Sequence, residues 1–122
     1  MQTDVRKVIG IEAAISLHQQ AIDCISQVKA DLPFYWEHNR DCEFIQDNFL
    51  HVSWDEATVI YSCSTCFTQS LLIQIGNKIN HTPNINKVFS LRPLPTITMP
   101  LKGVFQVECS WDSALCFFYS QI

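Results

Sequence analysis

DNFLHVSWDEATVIYSCSTCF, residues 47–67, is the stretch that decides the fold. It opens with an acidic and amide loop and continues through a short tryptophan-bearing connection. It then passes through an apolar run at residues 57–62 into small polar residues. An apolar run of this length is typical of a buried parallel strand, and ligands bind where such strands end. The order predicts the second half of a nucleotide-type cofactor site in a doubly wound α/β domain.

A second apolar run lies further towards the N-terminus, at residues 7–12 (KVIGIE), and it ends in the carboxylate of Glu12. Doubly wound folds use a carboxylate in this position to hold a ribose. No glycine-rich loop comes before this run in the sequence. The chain therefore has the pattern of a cofactor-binding domain that begins one strand late.

Composition limits the classes of function. At 122 residues the length predicts a single domain, residues 1–122. Charged residues make up 16%, against about 25% in average globular chains, which predicts exposed apolar surface that meets a partner. The net charge of −4 argues against direct nucleic-acid binding, which needs a basic face.

The N-terminus and the cysteines bear on location. The first residues lack the basic start and apolar core of a signal peptide. No apolar stretch approaches the roughly 18 to 20 residues of a membrane span. We therefore expect an intracellular chain without membrane contact, whose six cysteines are reduced.

Periodicity and breaker residues predict alternating strands and helices, followed by a hairpin. Thr68 is expected to cap the second helix, with Leu71, Leu72 and Ile75 inward. On one side of the first helix we expect Ile15, Ala21, Ile22, Ile25 and Val28. The expected strands are residues 7–12, 42–45, 57–62 and 88–91, the helices 14–30 and 68–79, and the antiparallel hairpin 104–109 with 115–119. We expect the strand at 57–62 to be buried on both faces, as parallel strands are.

Four short motifs in this order carry a family resemblance. They are Gly10-Ile11-Glu12, Asp47-Asn48-Phe49-Leu50, Ser62-Cys63-Ser64-Thr65-Cys66-Phe67 and Cys109-Ser110-Trp111-Asp112. From about Val8 to Tyr119 the chain resembles class I S-adenosylmethionine-dependent methyltransferases. Within that class it is similar to the non-SET histone lysine methyltransferases of the disruptor-of-telomeric-silencing type. The resemblance implies a Rossmann-like methyltransferase sheet with a C-terminal antiparallel hairpin, without the first strand and its glycine-rich loop.

The resemblance also implies a cofactor site for S-adenosylmethionine. Glu12 would accept hydrogen bonds from both ribose hydroxyls. Asn48 would read the adenine amino group, Phe49 would lie against the adenine ring, and Asp47 stands where the family commonly has glycine. The alternatives are that Glu12 is a charged strand end and that residues 47–48 form an Asx-type turn.

Cys63 and Ser64 occupy the family's asparagine motif at the methyl-transfer end, with Cys63 in place of the asparagine. A thiol orients a substrate amine less well than an amide does, so this departure bears on catalysis more than on fold. A redox pair or a zinc site at Cys63 and Cys66 are alternative interpretations. No second close pair of ligands accompanies them in the sequence.

Three aromatic residues would line a substrate lysine channel by the same resemblance: Phe67, Trp111 and Tyr119. Aromatic residues in a closing hairpin are also common core residues, so a purely structural role for Trp111 and Tyr119 stays open. Two positions are also left open for Trp54: beside the adenine, or in the core.

In the family the absent strand lies between the strands expected at 7–12 and 57–62. We expect the chain to be part of a longer protein that transfers a methyl group from S-adenosylmethionine to a protein lysine, histone being the implied substrate. The alternative is an inactive remnant that binds or self-associates through exposed strand edges. The location would be nuclear if the histone resemblance holds and cytoplasmic otherwise.

Overall fold

The computed structural model describes residues 7–31, 41–108 and 113–121. Its strands are β1 (Lys7–Glu12), β2 (Asp41–Gln46), β3 (Val59–Ser62), β4 (Lys87–Ser90), β5 (Leu101–Glu108) and β6 (Ser113–Ser120), and its helices are α1 (Ile15–Asp31) and α2 (Gln69–Asn80). A 3₁₀ turn, Phe49–His51, follows β2. The mixed α/β class and the predicted order of strands and helices are confirmed.

The chain divides into two compact units, Met1–Val52 and Ser53–Ile122, and each is described by itself. We call them the N-terminal unit and the C-terminal unit. The expectation of a single domain over residues 1–122 stays a prediction. No helix in the described part of the chain is long and apolar enough to cross a membrane.

The N-terminal unit is a strand–helix–strand arrangement. β1 and β2 pair in parallel, with Lys7 opposite Asp41 and Glu12 opposite Gln46, and α1 connects them. Of the residues expected on one side of α1, Ile22 is half-buried, whereas Ile15 is 73% exposed. Ile15 is the first residue of α1, and a helix end extends past the small surface that two strands offer for packing.

The C-terminal unit is a four-stranded sheet in the order β3-β4-β6-β5. β3 and β4 are parallel and are connected by α2, while β6 runs antiparallel to both β4 and β5. The predicted closing hairpin is confirmed. The buried apolar residues of this unit are Trp54, Leu72, Ile75, Ile79, Ile85, Val88, Leu91, Leu94, Met99, Cys116 and Tyr119.

β3 is not buried on both faces as expected. Val59 and Tyr61 are 50% and 64% exposed, whereas Ile60 is half-buried. Ile60 is in register with Val88, which is fully buried, so one face of the strand carries the core. β3 stands at one end of the strand order, and its other face keeps the alternating pattern of a half-covered sheet.

α2 forms where the sequence indicates. The Thr68 hydroxyl accepts a hydrogen bond from Leu71 N at 3.2 Å, which satisfies one of the free amides at the helix start. At the other end, Asn80 holds the segment that follows β4: its Nδ2 donates to Thr96 O at 2.8 Å, and its Oδ1 accepts from Thr98 N at 3.0 Å. Thr96 Oγ1 in turn donates to Ile73 O at 3.0 Å. Residues 96–98 therefore lie directly on the helix.

This close approach leads to a prediction for Gly76, in the middle of α2. A Cβ at this position would meet Thr96 Oγ1 and would lie 3.2 Å from Ile97 N, a backbone atom. Alanine gains about 1 kcal/mol over glycine inside a helix, but overpacking costs about 1 to 3 kcal/mol. We expect Gly76→Ala to lower the free energy of unfolding by about 1 kcal/mol, measured by urea denaturation.

Gly103 in β5 is the matched control, because a Cβ there would meet nothing within 4 Å. Gly103→Ala should leave stability unchanged or raise it by about 0.5 kcal/mol, since it removes the backbone entropy cost of glycine. If Gly76→Ala stabilised the protein as much as helix propensity alone predicts, the close contact between α2 and residues 96–97 would be refuted.

Candidate functional site

The residues implied in adenosine binding come together at the carboxyl ends of β1 and β2. Asp47 N donates to Glu12 O at 3.1 Å. The Gln46 side chain donates to Ala13 O at 2.9 Å. These bonds hold the residue that ends β1 beside the residue that follows β2. Ligands of open α/β sheets bind at this end of the strands.

Each polar side chain of this group already makes one local hydrogen bond. Glu12 Oε1 accepts from Ala14 N at 3.0 Å, Asp47 Oδ1 accepts from Asn48 N at 2.7 Å, and Asn48 Oδ1 accepts from Leu50 N at 3.0 Å. The Asn48 bond caps the 3₁₀ turn, so an Asx-type turn at residues 47–48 is present. The adenine role of Asn48 stays a prediction. Its side-chain amide still has two N–H donors and a second lone pair on the oxygen, beside the bond that forms the turn.

Glu12 retains the capacity to bind a ribose. Its carboxylate is half-buried at the strand end, and in the described part of the chain its Oε2 has no hydrogen-bond partner. A carboxylate offers about four acceptor positions, so two adjacent hydroxyl donors can be accommodated beside the Ala14 bond. Together with the half-buried Phe49 ring, these residues fit the adenosine part of S-adenosylmethionine. No described residue supplies a glycine-rich loop for the methionine part.

The second group lies at the carboxyl ends of β3 and β4, in the C-terminal unit. Ser64 is completely buried, and its hydroxyl lies 2.9 Å from the hydroxyl of Ser90, which is also completely buried. Phe67 N donates to Ser64 O at 3.1 Å and closes a turn. Ser64 is therefore a fixed point of the loop, while Cys63 beside it is exposed.

Sequence reasoning missed Ser90 and Arg92 in this group. The Ser90 hydroxyl donates to Arg92 O at 2.7 Å, and the Arg92 guanidinium donates through Nη1 to Phe67 O. The two residues thus connect the segment after β4 with the loop after β3. The signal that could have found them is their place directly at the end of a predicted parallel strand, next to the loop already singled out.

Of the residues implied in a substrate channel, the structure describes Phe67 and Tyr119. Tyr119 is buried, 5% exposed, and its hydroxyl accepts a hydrogen bond from Leu94 N at 3.1 Å. Phe67 is half-buried in the turn after β3, and Trp111 lies outside the described residues. The buried hydroxyl of Tyr119 favours the open alternative, a core role, and the channel role stays a prediction.

Trp54 also belongs to the core. It is 8% exposed, and the Lys78 Nζ lies 4.8 Å from the centre of its ring. A cation over an indole face adds attraction to the packing. Of the two roles left open for Trp54, the structure favours the core of the C-terminal unit.

The cysteines give limited support to the rival interpretations. Cys63 and Cys66 are exposed, and within the described ranges no group of three or more His, Cys, Asp and Glu side chains is placed to hold a metal ion. Burial raises the pKa of the Cys116 thiol, and a hydrogen bond with the Ser90 backbone partly opposes this. A redox role for the Cys63 and Cys66 pair stays untested.

Comparison with protein-family models and with curated protein sequences matched nothing. The function of this chain is therefore inferred from the two groups of residues at the strand ends and from the resemblance of the sequence motifs.

Proposed function

We propose that this chain is part of a class I S-adenosylmethionine-dependent methyltransferase of the non-SET histone lysine type, and that its N-terminal unit binds the adenosine part of the cofactor. The observation that carries the proposal is the convergence of Glu12 with residues 47–49 at the carboxyl ends of two parallel strands. An acceptor oxygen of a carboxylate and an aromatic side chain are the groups that a ribose and an adenine need.

The strand order supports the same proposal. The resemblance implies one further parallel strand beside β3. β1 pairs with β2 in one sheet, and β3 stands at the end of the order β3-β4-β6-β5 in the other. The hairpin of β5 and β6 lies on one side of β4, and β3 lies on the other side. By the resemblance, the additional strand would pair with the outer edge of β3. A similar fold does not by itself establish a function. The strand order supports the proposal only together with the residues at the strand ends.

When bound, S-adenosylmethionine supplies an electrophilic methyl group on a sulfonium that leaves readily. Alignment of the reacting groups then matters more than acid–base catalysis. In this reading Glu12 binds the ribose, and Phe49 covers one side of the base. In the C-terminal unit, the bond between Ser64 and Ser90 fixes the loop that presents Cys63 to solvent. A protein lysine as substrate rests on the resemblance.

The test is a titration of the chain with S-adenosylhomocysteine, followed by the backbone amide signals of residues 12 and 46–49 in NMR spectra. Because the residues match only the adenosine part, we expect weak, saturable binding with a Kd of about 1 mM. Glu12→Gln should weaken it about tenfold, since hydrogen bonds to a charged group contribute about 1.5 to 3 kcal/mol.

Glu43→Gln is the matched control. Glu43 is an exposed carboxylate on β2 whose Oε2 lies 3.7 Å from the Lys7 amine, and it stands three residues before Gln46, the last residue of the strand. Its removal should leave the affinity unchanged. Equal effects of the two substitutions, or no saturable shift, would refute adenosine binding at this edge.

A second function, an interaction module without catalysis, is favoured by the apolar side chains exposed on the end strands. Val8 and Ile9 of β1 are 49% and 40% exposed, and Val59 and Tyr61 of β3 are 50% and 64% exposed. Exposed edges with apolar residues invite pairing with another strand. Concentration-dependent self-association in sedimentation velocity, together with no response to the nucleoside, would favour this function over the first.

A further inference from the structure

The carboxyl ends of β3 and β4 form one continuous surface region. β3 and β4 pair in parallel with Ser62 opposite Ser90, and Leu91 N donates to Ser62 O at 3.2 Å. The buried hydroxyl pair described above, 2.9 Å apart, joins the segments that follow. We call residues 63–70 and 91–95 the strand-end segments.

Arg92 is the one charged residue in the sequence of these segments, CSTCFTQS and LRPLP. The other polar side chains are hydroxyls, thiols and an amide. The first turn of α2, which starts within the first segment, has no acidic residue. The two segments therefore carry one positive formal charge, in a chain with 12 acidic residues and a net charge of −4.

The guanidinium of Arg92 is held in place but not neutralised. Its Nη1 donates to Phe67 O, and the side chain is half-buried. Across residues 7–31, 41–108 and 113–121, no carboxylate oxygen lies within 4.0 Å of its nitrogens. Arginine has five N–H donors in a planar fork, and the bond to Phe67 O occupies one of them.

A half-buried cation without a counter-charge is costly to keep, because part of its hydration is lost on folding. The hydrogen bond to Phe67 O replaces one hydrogen bond to water, but it supplies no negative charge. A ligand carboxylate would supply both a charge and two parallel acceptors, which match the guanidinium fork. Parallel α/β sheets bind ligands at this end of their strands.

We propose that Arg92 is the anchor of a binding site for a carboxylate at the carboxyl ends of β3 and β4. A single guanidinium balances a single negative charge, so a carboxylate fits better than a phosphate dianion, which usually needs further cations or amide donors. The Thr68 hydroxyl follows Phe67 directly and accepts from Leu71 N, so its proton remains to donate to the same ligand. The site does not depend on the proposed methyltransferase function.

The test is a titration of the isotopically labelled chain with sodium acetate at constant ionic strength, followed by the side-chain Nε–Hε signal of Arg92 and the amides of residues 67 and 68. Sodium chloride and sodium phosphate are the parallel titrants. We expect a saturable shift with acetate in the millimolar range and a linear, smaller response to chloride. A linear response to acetate equal to that of chloride would overturn the site, and tighter saturation by phosphate would overturn its assignment to a carboxylate.

Arg92→Lys separates binding from folding. Lysine keeps the positive charge and can still donate to Phe67 O, but it lacks the planar fork. We expect acetate to bind five- to tenfold more weakly to this variant, while the free-state amide spectrum stays unchanged elsewhere. Lys102→Gln removes an exposed charge on β5 and should leave the affinity as it is. Equal acetate affinity in Arg92→Lys and in the unaltered chain would contradict the proposal.

Discussion

Replacement of Leu72 by alanine is expected to lower the free energy of unfolding of the C-terminal unit by about 3 kcal/mol, within the range of about 2 to 5 kcal/mol for buried leucines. Leu72 lies on α2 and is 1% exposed. Truncation removes buried methyl groups and leaves a cavity that the sheet beneath α2 cannot fully close. Urea denaturation followed by circular dichroism measures the change.

Leu101→Ala is the control for this experiment, because Leu101 in β5 is 51% exposed and its loss should change stability by less than about 0.5 kcal/mol. The comparison tests whether Leu72 belongs to the core of the C-terminal unit, as its burial indicates. Similar losses from both substitutions would contradict the burial pattern of the C-terminal unit.

The second large effect is expected from Ser90→Ala, at about 2 kcal/mol. Ser90 is completely buried, and its hydroxyl serves both the Ser64 hydroxyl and Arg92 O. Alanine leaves those two groups without their partner, and an unsatisfied buried polar group costs about 1 to 3 kcal/mol. Thermal and urea unfolding of the variant give the magnitude.

A double-mutant cycle with Ser64→Ala isolates the bond between the two hydroxyls. If each hydroxyl depends on the other, the stability losses of the two single variants should sum to about 1 kcal/mol more than the stability loss of the double variant. Ser70→Ala, at an exposed position in the first turn of α2, should cost less than about 0.5 kcal/mol. Strict additivity of the Ser64 and Ser90 effects would show that the hydroxyl pair does not couple the ends of β3 and β4.

The two experiments test features that the sequence predicts to different extents. Leu72 could be placed in the core before the structure, because apolar residues three and four apart on a helix face define its buried side. The bond between Ser64 and Ser90 could not, since serines 26 positions apart carry no local signal of contact. Parallel pairing of β3 and β4 creates that contact.

The group at the ends of β1 and β2 was more accessible to sequence reasoning. Glu12 ends an apolar run, and residues 47–49 follow another, so parallel pairing alone brings them together. The exposed face of β3 was not accessible in this way. The apolar run at residues 57–62 has the composition of a strand covered on both sides, and the covering of a face depends on which elements pack there.

By itself the sequence determined the mixed α/β class, the positions of the helices and strands, the cap at Thr68 and the hairpin of β5 and β6. Those features depend on local periodicity, capping and turn chemistry, which neighbouring residues carry. Only the tertiary structure decided that Tyr61 is exposed, that Ser64 is anchored to Ser90, and that the Arg92 guanidinium reaches Phe67 O. These features depend on which distant segments lie side by side, because burial and hydrogen-bond partners are properties of packing rather than of the local chain.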